Sequence, residues 1–331
     1  MAEFTPGLVT LFGGSGFIGS QAVRTLAKRG WRVRIAVRNP TLAIEVQPLG
    51  DVGQIQFMHC DIGRDEDVAR AVRGADAVVN LVGVLAEGGK RSFQAVHVEG
   101  SRRIAEAARA AGVERLVQIS AIGADANSPS GYGRSKAEAE AAVRAVYPDA
   151  VILRPSIVFG SGDSFLNRFA HMAAYGPGLP LIGGGKTRFQ PVYVGDVAEA
   201  IARAVSLREA GGRTFELGGP AVYAFEDLMR LVLRETNRSK PLIGLPFGAA
   251  KMLATLMKPL GLLGVEPPIT GDQVLMLQRD NVVASGAEGL AALGIEPTGL
   301  EAIAPSYLWR FRRGGQFAEA PIYAGGAGET A

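Results

Sequence analysis

The chain opens with apolar and amphipathic blocks in regular succession. Residues 9–12 form a short apolar, partly β-branched run bounded by glycine, which predicts a buried strand. Residues 17–28 place Ile18, Val23, Leu26 and Ala27 at helical spacing, which predicts a helix with one apolar face. Further strands are expected over 33–37, 53–62, 76–84 and 115–124, and further helices over 66–75, 98–113 and 131–146. Strand and helix taking turns in this way require a parallel sheet covered on both faces. The predicted class is α/β: a Rossmann-like, doubly wound parallel sheet with a smaller, mostly helical C-terminal lobe. The expected divisions are 1–235 for the sheet domain, to which some later segments return, 236–313 for the lobe, and 314–331 for a flexible tail rich in Gly and Ala.

Between the first strand and the first helix, Gly13, Gly16 and Gly19 form a G-x-x-G-x-x-G series. In that setting the first glycine allows a tight turn. The second lets main-chain amides approach a diphosphate, and the third lets the helix sit close to the strand. The amides of Ser15, Gly16, Phe17 and Ile18 lie at the positive end of the helix, which suits phosphate. A fold of this kind that prefers the unphosphorylated dinucleotide carries an acid at the end of its second strand. Arg38 stands at that point, and a guanidinium pairs with a 2′-phosphate, so NADPH or NADP+ is the expected cofactor. Asp61 and Ile62 end the next strand. Asp61 has two open readings, an adenine contact or an N-cap for the helix that follows. Leu81, Val82 and Gly83, just past Asn80, would line the adenosine side.

The most suggestive chemistry lies downstream. Ser120 ends a strand, and Tyr132 and Lys136 follow four residues apart, on one face of a helix. A lysine beside a tyrosine favours the phenolate and lowers the phenol from about 10 toward working pH. The tyrosine then passes a proton to or from a carbonyl or alcohol while hydride moves on a nicotinamide, and the serine hydrogen-bonds the same oxygen.

Composition narrows the setting. A net charge of +3 over 331 residues is too small to imply nucleic acid. One cysteine, Cys60, allows no internal disulfide and no cysteine zinc cluster, and three histidines show no metal spacing, so no metal is expected. No apolar run reaches the roughly 20 residues that span a bilayer, and no leader is expected ahead of the first strand.

The motifs Gly13-x-x-Gly16-x-x-Gly19, Asp61-Ile62, Ser120, Tyr132-x-x-x-Lys136, Arg154-Pro155 and "PVYVGDVAEAI" together resemble the extended, atypical short-chain dehydrogenases/reductases. That resemblance implies a diphosphate over the glycines and a nicotinamide near Tyr132, Lys136 and the segment containing Pro155, Ser156 and Ile157. A narrower one is carried by "PLGDVGQIQFMHCDI", "VVNLVGV", "SGYGRSKAEAE", "DSFLNRFA" and "RFQPVYVGDVAEAI", over roughly residues 7–300. These stretches are similar to the NADPH-binding accessory subunits of respiratory complex I (NADH:ubiquinone oxidoreductase). Membership there implies NADPH held as a structural cofactor away from the electron path, no independent turnover, and docking among other subunits of the peripheral arm. It also implies a peripheral position on the cytoplasmic face of the inner membrane, equivalent to the mitochondrial matrix side. The alternative function is a free NADPH-dependent reductase, dehydratase or epimerase working through Ser120, Tyr132 and Lys136.

The C-terminal third adds a basic apolar segment. Residues 236–265 contain Arg238, Lys240, Lys251 and Lys258 and one acid-free stretch of Leu, Met, Phe and Ala. Lys251, Thr255 and Lys258 would form one narrow polar stripe on a helix. Such a helix either packs in the lobe's core or lies on a partner or membrane interface with its lysines at lipid head groups. The segment around Arg279, Asp280 and Asn281 reads as the end of a further helix, without a convergent set of polar groups for a sugar nucleotide.

Overall fold

Each apolar run in the first two-thirds of the chain becomes a strand of one sheet. The computed structural model describes residues 3–89, 91–262 and 270–318, with the side chains of 258–262 outside the description. The Lys258 side chain and most of the tail from 314 onward therefore lie outside the description. The sheet strands are β1 (Leu8–Phe12), β2 (Arg32–Val37), β3 (Ile55–His59), β4 (Ala77–Asn80), β5 (Arg115–Ile119), β6 (Val151–Pro155) and β7 (Thr214–Leu217). They pair in the order β7-β6-β5-β4-β1-β2-β3, all parallel.

The helices are α1 (Phe17–Lys28), α2 (Asp65–Val72), α3 (Gly100–Ala110), α4 (Gly131–Val146), α5 (Leu166–Tyr175), α6 (Val194–Ser206), α7 (Phe225–Glu235), α8 (Phe247–Leu262) and α9 (Gly271–Met276). Alternation along β1 decides which helices it meets. Val9 and Leu11 join a core with Val23 and Leu26 of α1 and Val197, Ile201 and Val205 of α6. Phe12 faces the other way, into a core with Val68 and Ala71 of α2, Ile104 and Ala108 of α3, and Val143 of α4. Both faces are covered, which is why the strands read as nearly unbroken apolar runs.

A second core is built from Phe159, Leu166, Ala170, Phe225, Leu228, Met229 and Val232 together with Leu300, Tyr307 and Leu308. Leu290, Leu293 and Ile295 return to the first core. These two cores are thus assembled from both sides of residue 235, whereas the core around Phe12 draws on nothing beyond Ala150.

Several strands end earlier than the apolar pattern predicts. β4 stops at Asn80 and β5 at Ile119, although Leu81, Val82, Ala121 and Ile122 extend both runs. The backbone leaves the sheet there because Asn80 and Ser120 stand at its carboxyl edge, and the apolar residues beyond them line loops. The predicted helix over 98–113 is preceded by a π-helical turn, Gln94–Glu99, which brings His97 inside.

Order reverses at β1, whose neighbours are β2 on one side and β4 on the other. In an open parallel sheet this is the point where the carboxyl ends splay into a crevice. Every element that follows is placed relative to it.

Candidate functional site

The turn between β1 and α1 forms the floor of the crevice. Gly13 has φ +81, a left-handed conformation natural to glycine, and its carbonyl accepts from the Gly16 amide at 3.1 Å. A Cβ on Gly19 would stand 2.4 Å from the Gly13 oxygen, so only glycine lets α1 start so close to β1. Gly16 differs: a Cβ there would meet nothing nearer than the Gly13 oxygen at 3.4 Å, an ordinary contact. The protein's own packing therefore leaves room at Gly16. Gly16 is also the N-cap of α1 and offers no side-chain cap, and Ser15 and Gly16 are exposed while Phe17 and Ile18 are half-buried. Uncapped amides and a positive dipole end over a backbone without Cβ atoms fit an anion of diphosphate size.

The walls come from the neighbouring strand ends. Asn80 is buried; its amide nitrogen donates to Ser101 and Gln118, and its oxygen accepts from the Val82 amide at 3.1 Å. This fixes the Leu81–Gly83 loop so close to Gly13 that a Cβ added there would touch Leu81 and Val82 at 3.4 Å. Arg38 follows β2, is exposed, and has no ion pair among the described residues. Asp61 follows β3. Its carboxylate closes a local turn by accepting from the Gly63 amide at 2.9 Å, while the N-cap of α2 is Arg64. The helix-cap reading of Asp61 is thereby corrected. Ile62 packs against Gly100 at the start of α3.

Tyr132 and Lys136 stand beside the end of β5, the strand that Ser120 follows. Ser120 follows β5; its Oγ is buried and has no hydrogen-bond partner, an uncommon state for a buried hydroxyl. Tyr132 lies in the first turn of α4 and Lys136 one turn later, with Nζ 5.7 Å from the centre of the Tyr132 ring and 3.4 Å from the Ile119 carbonyl oxygen. The expected lowering of the phenol is not what this geometry produces. Burial dominates and pushes Tyr132 up to about 12, and the same burial pushes the Lys136 ammonium down to about 8 against the pull of Glu140.

The Pro155–Ile157 segment is anchored to Asn281. Ser156 Oγ donates to Asn281 Oδ1 at 2.6 Å, and the Ile157 amide donates to the same oxygen at 3.0 Å. Those polar groups are already taken, so Pro155, Ser156 and Ile157 can offer the crevice only backbone and apolar surface. Asn281 was visible in the sequence only as a helix end. Two other residues carry more of the site than sequence reasoning assigned them. Asp272 of α9 accepts from Ser130 Oγ and from the Gly131 and Tyr132 amides at 2.7, 2.7 and 3.2 Å. His97 stacks on Phe93 and meets the edge of Tyr132, with ring centres 5.3 and 5.6 Å apart.

Elsewhere, α8 buries Ala250 and Ala254 and turns Lys251, Met252, Leu253, Thr255 and Leu256 outward, Leu256 at 71% exposure. The large apolar side chains, not only the polar stripe, thus face away from the protein. Among the described residues no helix is long and apolar enough to cross a membrane, and no cluster of three or more His, Cys, Asp or Glu could hold a metal ion.

A parallel sheet with a capless glycine turn at its switch point, followed by a serine, a tyrosine and a lysine, is a Rossmann-like fold of the short-chain dehydrogenase type. The chain belongs to the NAD dependent epimerase/dehydratase family, whose model matches residues 9–218. Among its relatives, it is 36% identical over 92% of its length, and 80% of the relative's, to NADH dehydrogenase (ubiquinone) 1 alpha subcomplex subunit 9 of Rattus norvegicus mitochondria. It is 30% identical to the mitochondrial NADH-ubiquinone oxidoreductase 40 kDa subunit of Neurospora crassa, over 92% of this chain and 79% of that one. The likeness to complex I accessory subunits read from the sequence is borne out. The fold is shared with the crystal structure of a dTDP-glucose 4,6-dehydratase from Streptomyces venezuelae, at TM-score 0.68, 21% identity and coverage of 92% and 96% of the two chains.

Proposed function

We propose that this chain is an NADPH-binding accessory subunit of respiratory complex I, docked among subunits of the peripheral arm close to the membrane, on its cytoplasmic or matrix-equivalent side. The observation that carries the reading is similarity across 92% of the chain to a mitochondrial NADH dehydrogenase (ubiquinone) subunit. The crevice supports the cofactor. The amides of Ser15, Phe17 and Ile18 hold the diphosphate, with Gly13, Gly16 and Gly19 shaping the turn. Arg38 pairs with the 2′-phosphate and Asp61 stands beside the adenine. Tyr132 and Lys136 hold the nicotinamide ribose, with Leu81, Val82 and Gly83 closing the side. When bound, NADPH supplies a hydride donor and a large stabilising ligand. The outward Lys251, Met252 and Leu256 of α8 supply a surface for a partner subunit or for lipid head groups.

Native purification from membranes tests this directly. The chain should co-purify with complex I and release NADPH or NADP+, identified by mass spectrometry. Its absence from the assembly would overturn the reading.

The unpartnered Ser120 hydroxyl favours one second reading, a free NADPH-dependent reductase, dehydratase or epimerase. Ser120 would hold a substrate oxygen and Tyr132 would exchange its proton. Isolated protein that oxidises NADPH with a carbonyl substrate, and loses that activity in Tyr132→Phe, would establish it.

A further inference from the structure

His97 joins two parts of the crevice that lie far apart along the chain. It is 1% exposed, at the inner face of the π-helical turn Gln94–Glu99. Its Nε2 lies 3.0 Å from the Val84 amide, which can only donate, so Nε2 carries the lone pair. Nδ1 must then carry the hydrogen. It lies 2.8 Å from Ser135 Oγ, and Ser135 in turn donates to the Tyr132 carbonyl at 2.8 Å.

Every donor in the chain from Val84 through His97 and Ser135 to Tyr132 therefore points the same way, and the tautomer is set by its partners. One end of that chain is the loop leaving β4. The other is the first turn of α4. Between them lies Gly83, whose added Cβ would be 3.4 Å from Lys136 Nζ and 3.5 Å from His97 Nε2. Loop, lysine and histidine meet at that one small residue.

We infer that His97 is a positioning residue: a neutral, two-ended strut that sets the distance between the Leu81–Val84 loop and the Tyr132–Lys136 face of α4, and so the width of the crevice where the nicotinamide ribose sits. This rests on the dinucleotide reading above. Burial and the nearby Lys136 ammonium push the imidazole down to about 3, so the strut stays neutral across physiological pH.

Amide hydrogen exchange on the full chain without added nucleotide, compared with NADPH titration of the same samples, tests the proposal. His97→Phe keeps the ring and its stacking on Phe93 but removes both hydrogen bonds. Exchange should quicken at Val84 and in the first turn of α4 together, and NADPH should bind about tenfold more weakly, one hydrogen bond's worth. His97→Gln, which can still accept near the Nε2 position, should protect Val84 alone. His97→Asn, which can still donate near Nδ1, should protect the helix turn alone. Should His97→Phe leave either segment's exchange unchanged, or bind NADPH as tightly as the parent, the strut is wrong. Parent protein that binds no dinucleotide would sink the functional reading instead, while the exchange measurements still decide the strut.

Discussion

The carboxylate of Asp272 accepts from the main-chain amide of Tyr132, a residue 140 positions earlier in the chain, at 3.2 Å. The same carboxylate takes the Gly131 amide at 2.7 Å and the Ser130 hydroxyl at 2.7 Å. A negative charge thus sits at the N-terminus of the helix that carries the tyrosine and lysine, where the dipole favours it. It comes from α9, beyond the second core, so the later part of the chain holds the phenol in place.

Asp272→Ala should therefore act at a distance. Loss of a charged cap costs about 1–2 kcal/mol, read as a lower urea midpoint with unchanged slope. NADPH affinity should fall as well, since the first turn of α4 is released, and Asp272→Asn should restore part of both. A variant with unaltered stability and affinity would show that Ser130 alone suffices as the cap.

Gly16 and Gly19 should separate binding from folding. At Gly19 any side chain meets the Gly13 oxygen at 2.4 Å, so Gly19→Ala should destabilise the fold by roughly 1–3 kcal/mol even without nucleotide. At Gly16 the protein has room, so Gly16→Val should fold normally. It should, however, lose the rise in Tm on adding NADPH, which for the parent corresponds to about 4 kcal/mol at a thousandfold excess over Kd. Retention of that rise in Gly16→Val would place the diphosphate elsewhere.

Arg38 is the candidate for choosing between dinucleotides. Arg38→Asp removes the partner of a 2′-phosphate and supplies an acceptor for a ribose hydroxyl. NADPH should bind about 10–100-fold more weakly, the size of a charge-assisted hydrogen bond, and NADH should bind better. Equal NADPH affinity in parent and variant, measured by fluorescence titration, would remove Arg38 from the site.

How much of this was legible beforehand follows from sequence separation. The glycine turn could be read because Gly13, Gly16 and Gly19 act on one another within a few residues, and spacing alone encodes that. Tyr132 and Lys136 share a helix face for the same local reason. Asp272, Asn281 and His97 could not be assigned, because each acts on a segment brought to it by the fold: Ser130 to Tyr132, Ser156 to Ile157, and Val84 together with Ser135. Their residue types carry no signal of such reach. The reading of α8 as a polar stripe on an apolar helix left open whether its large apolar side chains pack inward or face outward. Its alanines, Ala250 and Ala254, pack inward, and Met252 and Leu256 are left outside. Residue type predicts that a helix is amphipathic, but close approach between helices selects small side chains over apolar ones.

The buried ammonium of Lys136 should leave its mark on stability at alkaline pH. Its folded-state value lies near 8, below the ordinary 10.5, so between those values the unfolded chain holds a proton that the folded chain has released. Stability then rises with pH across that window, and the burial penalty of roughly 3 kcal/mol present below pH 8 is progressively relieved. Tyr132 works in the opposite sense but later. Its hydroxyl is raised from 10.0 to about 12, so its contribution to stability is whole below pH 10 and declines only above it. Burial likewise raises the Cys60 thiol from 9.0 to about 12, which lowers stability above pH 9, but that effect is common to parent and variant, so the difference between the two isolates the lysine. Lys136→Met keeps the bulk of the stem without the charge, and should be more stable than the parent at pH 7 by an amount that shrinks as pH approaches 10. Urea unfolding of both proteins at several pH values measures the gap. A gap that stays constant from pH 7 to 10 would mean that Lys136 keeps its proton in the folded state, and the poise of the site would have to come from the nucleotide.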